Sequence, residues 1–178
     1  IYRKDIGPIL MMADIGPGVK VLESGVGSGA LSMGMLRCGV DIVGYELREE
    51  FADRARQNVE KFLGAEALSR YRVELRDCYE GIDETDLDRV ILDLPEPWQV
   101  VPHAATALRP GGLILGYSPS IVQVMQFRDA LDKAGFILAE SLEVLNRSWH
   151  IEGNAVRPDH RMVAHTGFLT TARRGSDQ

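Results

Sequence analysis

The sequence predicts an α/β domain: a mostly parallel sheet with helices on both faces and an antiparallel strand at one edge. Three observations predict it. Short apolar runs recur along the chain, helix-period stretches follow the early ones, and acidic residues stand where those runs end.

The first run, Val19 to Glu23, enters the turn Ser24-Gly25-Val26-Gly27-Ser28-Gly29, and a helix from Ala30 to Leu36 follows. Glycines let the backbone turn sharply and approach a ligand closely, and the start of the helix presents unpaired N–H groups. Such an element builds a nucleotide or nucleoside pocket. A dinucleotide fold would usually show G-x-G-x-x-G, and a P-loop would carry Lys-Ser/Thr after its glycines. Here the third glycine comes one residue early, an acid ends the strand, and no such lysine follows.

The second run, Asp41 to Tyr45, ends in Glu46, and a helix follows with Phe51, Ala55, Val59 and Phe62 on one face. In a right-handed βαβ unit the strand ends gather along one edge, which sets Glu46 beside the glycine turn. A carboxylate there accepts both hydroxyls of a ribose; the plainer reading is an acid favoured by the helix dipole. A third run, Tyr71 to Arg76, ends in Asp77-Cys78. Asp77 is placed either to accept an exocyclic adenine amine or simply to close an Asx-type turn. Arg48 and Phe51 flank the same region, with Phe51 equally suited to the core.

The fourth run, Leu87 to Leu92, leads into Asp93-Leu94-Pro95-Glu96-Pro97-Trp98. Two prolines fix the backbone and forbid further sheet pairing, so a stiff loop leaves the strand end here. An acid and an aromatic ring on a rigid loop suit a planar base; an ordinary surface loop is the alternative. Arg109-Pro110-Gly111-Gly112 then separates a helix ending near Leu108 from a strand at Leu113–Tyr117. Val124, Phe127, Leu131 and Ala134 mark a helix, and the apolar stretches at Gly135-Phe136, Leu142–Val144 and Phe168-Leu169 mark the last strands. Residues 1–174 form one domain, and 175–178 read as a frayed tail.

With 45% hydrophobic residues the chain can bury one substantial core. No apolar run reaches the length of a membrane span and no signal peptide is visible. Cys38 and Cys78 read as buried thiols, and four scattered histidines show no metal-ligand spacing. The net charge of −6 counts against a polyanionic partner, while Arg147, Arg157, His160, Arg161, Arg173 and Arg174 gather cations toward the C-terminus.

The turn Glu23 to Gly29 resembles motif I of S-adenosylmethionine-dependent methyltransferases, and the motifs together resemble one family, the tRNA adenine-N1 methyltransferases acting at position 58 of the T-loop. The resemblance covers essentially the whole chain. Its carriers are Ile1-Tyr2-Arg3-Lys4-Asp5, Glu23 to Leu31, Tyr45-Glu46-Leu47-Arg48 and Asp93 to Trp98, then Tyr117-Ser118-Pro119 with Gln123, and Arg157-Pro158 through His165–Leu169. The chain departs from the family pattern at Arg3, where proline is usual, and at Ser24 and Val26.

The resemblance implies a Rossmann-like class I methyltransferase with a seven-stranded sheet. It places S-adenosylmethionine against Glu23, Gly25, Gly27, Ser28, Gly29, Ala30, Leu31, Glu46, Arg48, Phe51, Asp77, Cys78 and Asp93. It implies Asp93, Tyr2 and Tyr117 as catalytic residues, no metal, tRNA as substrate, a homotetramer and a cytoplasmic setting. The family's small N-terminal β-domain has no counterpart, and a chain opening without methionine inside the first motif reads as a fragment. Two alternatives stand beside this: another class I methyltransferase, acting on adenine N6 or a protein carboxylate, and an inactive cofactor- or tRNA-binding partner subunit.

Overall fold

The computed structural model describes residues 1–176, so the last two positions of the expected tail, Asp177 and Gln178, lie outside the described residues. The chain opens with helix α1 (Arg3–Met12) and then alternates β1 (Lys20–Ser24), α2 (Ala30–Leu36), β2 (Asp41–Glu46), α3 (Glu49–Leu63), the short α4 (Ala65–Ser69) and β3 (Tyr71–Leu75). It continues through β4 (Leu87–Leu92), α5 (Val101–Ala107), β5 (Leu108–Ser118), α6 (Ile121–Lys133) and β6 (Phe136–Glu143). A hairpin of β7 (Trp149–Glu152) and β8 (Ala155–Pro158) precedes β9 (Phe168–Arg174).

Seven strands form one sheet in the order β3-β2-β1-β4-β5-β9-β6. The chain winds outward from β1 to β3 and then returns to β4 on the other side of β1, which creates a switch point between β1 and β4. Ligand crevices of open α/β sheets form at such points, beyond the carboxyl ends of the strands.

The expected seven-stranded, mostly parallel sheet is present, but the reversed strand is not at its edge. β9 runs antiparallel to both β5 and β6, one place in, and β6 is outermost. The composition of β9 explains the placement. Leu169, Thr170, Thr171 and Ala172 are all buried, as suits a strand paired and covered on both sides rather than an edge.

Strand alternation divides the core into two layers. On one face Val21, Ile42, Val73 and Ile91 pack with Ile9 of α1, Met35 of α2 and Ala55 of α3. On the other, Leu22, Val90, Leu92 and Ile114 pack with Val101 of α5 and Phe127 and Leu131 of α6. Each such large apolar side chain stabilises the fold by roughly 1.5–3 kcal/mol relative to exposure. Phe127 fills a notch left by Gly116, where an added Cβ would lie 2.6 Å from its ring.

Two local expectations fail. Phe62 continues the apolar spacing of α3 yet is 63% exposed, because the last turn of the helix overhangs the sheet and borders an open groove with Ile6 and Met33. The break expected at Arg109–Gly112 is absorbed into β5, whose pairing with β4 shifts register between Leu87 and Arg89. The β7–β8 hairpin was also not anticipated; its register leaves Gly153-Asn154 as the turn, with Gly153 at φ +53°.

Candidate active site

Parallel register brings the carboxyl ends of β1, β2, β3 and β4 together: Ser24 lies opposite both Tyr45 and Leu92, and Glu46 opposite Leu75. The glycine turn leaves from the centre of this edge. Its N–H at Gly25 donates to the Tyr45 carbonyl at 3.2 Å, and the Asp93 N–H donates to the Ser24 carbonyl at 2.9 Å. Gly25, Gly27 and Gly29 adopt φ of +85°, +55° and +78°, a region costly for side-chain-bearing residues. A Cβ at Gly25 would stand 2.2 Å from the Asp93 carbonyl oxygen, whereas one at Gly27 would meet nothing within 4 Å. Gly25 is therefore glycine so that two loops can touch, while Gly27 borders open space where a ligand can approach the backbone.

Glu46 is buried and tied to that turn. One carboxylate oxygen accepts the Gly27 N–H at 3.0 Å and the other the Arg48 N–H at 3.1 Å. A carboxylate offers about four acceptor positions, so two remain for a vicinal diol. Glu46 lines a cavity of about 170 Å³ with Leu47, Asp77, Cys78, Leu94 and Pro95. Asp77 closes an Asx turn, accepting the Tyr79 N–H at 2.9 Å, and still borders this cavity. Burial pushes the Cys78 thiol up to about 11, so it contributes an inert, compact wall.

A second cavity of about 100 Å³ lies across Gly25, which lines both, and is walled by Glu23, Ser28, Ala30, Leu31 and Asp93. The Ser32 hydroxyl donates to Glu23 at 2.5 Å and stands 2.9 Å from the Tyr71 hydroxyl. Burial raises the Glu23 carboxyl to about 8, against the Ser32 hydrogen bond and with a smaller push from Asp93. Glu23 thus holds a proton at neutral pH.

Asp93 heads the proline loop, and its Oδ2 lies 3.3 Å from the main-chain nitrogen of Ile1. Burial pushes its carboxyl up. The loop is held from two sides: Gln123 donates to the Pro95 carbonyl at 2.8 Å, and the Glu96 N–H donates to the Tyr79 hydroxyl at 3.1 Å. Pro97–Gln99 winds into a 3-10 turn that leads into α5, and this turns Trp98 onto the core under α5 and α6. Trp98 is half-buried there, one part of its ring packed against the core.

The remaining expected residues are placed unevenly. Arg48 lies 3.7 Å over the Phe51 ring at the start of α3, and neither side chain lines either cavity. Tyr117 is buried, its hydroxyl donates to the Thr166 carbonyl at 2.7 Å, and burial pushes that phenol up. Its position is that of a core tyrosine with a satisfied hydroxyl. Tyr2 is 57% exposed and borders a cleft beyond Asp93.

Sequence reasoning missed Asp5, which is fully buried, accepts from Lys4 and from the Thr166 hydroxyl at 2.8 Å each, and clamps the first block of the chain to the last. Its signal was an acid set within the opening motif. Ser32, the partner of Glu23, carried none. Among the described residues no three His, Cys, Asp or Glu side chains group to hold a metal ion, and no helix is long and apolar enough to cross a membrane.

A glycine turn at the switch point of a seven-stranded sheet, with an acid ending β2 beside it, defines a class I methyltransferase. Within that class the chain belongs to the family of the tRNA methyltransferase complex GCD14 subunit, which matches residues 1–155. The tRNA (adenine(57)-N(1)/adenine(58)-N(1))-methyltransferase TrmI of Methanocaldococcus jannaschii is 36% identical over 97% of this chain and 71% of its own length. The crystal structure of an S-adenosylmethionine-dependent O-methyltransferase from Thermotoga maritima superposes with a TM-score of 0.92 at 35% identity, covering 100% of this chain and 67% of that one. The tRNA (m1A58) methyltransferase TrmI of Aquifex aeolicus superposes with a TM-score of 0.90 at 26% identity, covering 99% and 70%.

Proposed function

We propose that the protein transfers a methyl group from S-adenosylmethionine to N1 of the adenosine at position 58 in the tRNA T-loop. The observation that carries the reading is Asp93: a carboxylate on a proline-stiffened loop, beside the glycine turn and open to the second cavity, in a chain of this family.

The twin cavities fit the cofactor's two halves. Glu46 would accept the ribose hydroxyls and Asp77 the adenine amine, with Cys78 and Leu94 as walls; Glu23 and the segment Ser28–Leu31 would surround the methionine end. Arg48 and Phe51, stacked on each other, would close the adenosine side from outside. When bound, S-adenosylmethionine supplies an electrophilic sulfonium methyl, which the N1 lone pair takes as the S–C pair leaves with sulfur, so positive charge passes to the base. Asp93 accepts a hydrogen bond from the target N6 amine and stands near that charge, stabilising it most in the transition state. Tyr2 packs at the mouth, Tyr117 sets the wall behind it, and the rigid loop holds nucleophile and methyl in line.

A homotetramer acting in the cytoplasm is part of this proposal. Its support is the apolar surface of the β7–β8 hairpin, where Trp149 and Ile151 are 59% and 74% exposed. The protein should turn adenosine 58 of an unmodified tRNA into 1-methyladenosine with labelled cofactor, read by nucleoside mass spectrometry. N6-methyladenosine or an O-methylated product, the latter suggested by the name of the Thermotoga relative, would replace this reading, and no product at all would favour a cofactor- or tRNA-binding subunit.

A further inference from the structure

Beyond Asp93 a cleft of about 410 Å³ opens between the first residues of the chain and the segments after β6 and β8, lined by Tyr2, Arg3, Lys4, Asn146, Ser148 and Arg161 among others. Three cations and no carboxylate line it, on a chain whose net charge is −6. Lys4 is committed, donating to Asp5 at 2.8 Å and to the Val144 carbonyl. Arg3 and Arg161 have neither a hydrogen-bond nor an ion-pair partner among the described residues. The cleft is a built feature: Lys4 to Val144 and Asp5 to Thr166 fasten its two walls together. It also begins next to the reacting region, because Ile1, adjacent to Tyr2, lies 3.3 Å from Asp93.

Arg173 and Arg174, also in the C-terminal stretch, sort differently. Arg173 donates to the Gly111 carbonyl at 3.0 Å, and Arg174 to that of Leu108, both at the opposite edge of the sheet.

We propose that this cleft seats the RNA backbone flanking the target nucleotide, with Arg3 and Arg161 each neutralising a phosphodiester and the exposed Tyr2 ring forming the side nearest Asp93. The inference rests on the tRNA reading above and assigns its phosphate contacts. Arg3 matters particularly, since it stands beside the exposed Tyr2 ring and has no partner of its own among the described residues.

Binding of an unmodified tRNA transcript is measured at several salt concentrations for the wild type, Arg3→Ala, Arg161→Ala, the double variant and Arg173→Ala. Each cleft variant should weaken binding roughly three- to tenfold and lower the slope of log affinity against log salt by about 0.7–1. Arg161→Lys should restore most of the slope, and Arg173→Ala should keep all of it. Melting temperature and cofactor affinity by calorimetry should stay at wild-type values throughout. Wild-type slopes in Arg3→Ala and Arg161→Ala, from a protein that still forms 1-methyladenosine, would overturn the cleft while leaving the functional reading intact. A wild type that neither binds nor methylates tRNA would overturn both.

Discussion

Gly25 and Asp93 touch so closely that a single added Cβ on Gly25 would lie 2.2 Å from the Asp93 carbonyl oxygen. This contact couples the turn that would hold the cofactor to the loop that would hold the base, and it does so through main chain, which cannot rotate away. Gly25→Ala therefore faces two penalties, a φ of +85° and the overlap itself. Each is on the order of 1–3 kcal/mol, which for a domain of this size lowers the melting temperature by several degrees. Thermal unfolding and calorimetric titration with S-adenosylmethionine should show both a fall in stability and loss of binding. Wild-type values in both would mean that the loops move apart freely.

Glu46 serves the turn and the ligand at once, accepting from Gly27 and Arg48 while bordering the larger cavity. Replacement by alanine should weaken S-adenosylmethionine by roughly 1.5–3 kcal/mol, the scale for lost hydrogen bonds to a charged group. The deficit should appear equally with S-adenosylhomocysteine, because the ribose is common to both. Unchanged calorimetric affinity for either ligand would remove Glu46 from the nucleoside cavity.

What was legible in the sequence was local. The apolar runs ending at Glu46, Asp77 and Asp93, and the glycine and proline punctuation beside them, placed three acids at one sheet edge, because strand period and turn chemistry act over a few residues. Helix α1 is not announced by its sequence: it passes through Gly7 and Pro8, two poor helix formers, with Ile9 buried in the core. The insertion of β9 between β5 and β6 is a tertiary choice that no window of sequence records. Pairs such as Ser32 with Glu23, or Asp5 with Thr166 across the whole chain, exist only once the sheet has formed. The same holds for Trp98: its neighbours announce a stiff loop, and its half-buried packing against the core follows from the 3-10 turn.

The buried carboxyl of Glu23 predicts a dependence of stability on pH. Its value rises from the ordinary 4.5 to about 8 in the folded protein. Between those values the native state keeps a proton that the unfolded chain has released. The contribution to stability is therefore full below about pH 4.5 and is lost progressively as pH rises to about 8, with no further change above. Melting temperatures of the wild type and Glu23→Gln, compared at intervals from about pH 5 to pH 9, should diverge upward through that window, the wild type losing more. A constant difference would show that Glu23 titrates normally.

Asp93 offers the sharpest test of the chemistry. Its carboxyl sits on a loop fixed by Gln123 and Tyr79, so removing it should leave the fold intact and take away the acceptor for the target N6 amine and the partner of the charge forming on the base. Asp93→Ala should slow methyl transfer by something like 10²–10³-fold, the usual scale for one preorganised electrostatic partner. Because Asp93 also borders the cavity proposed for the methionine end, cofactor affinity can fall as well, and the loss must be read from single-turnover rates at saturating cofactor and tRNA. Asp93→Asn, which keeps the size and one acceptor but not the charge, should recover part of the rate if hydrogen bonding to N6 contributes separately from charge. A near-normal rate for Asp93→Ala under those conditions would move the catalytic role elsewhere in the site.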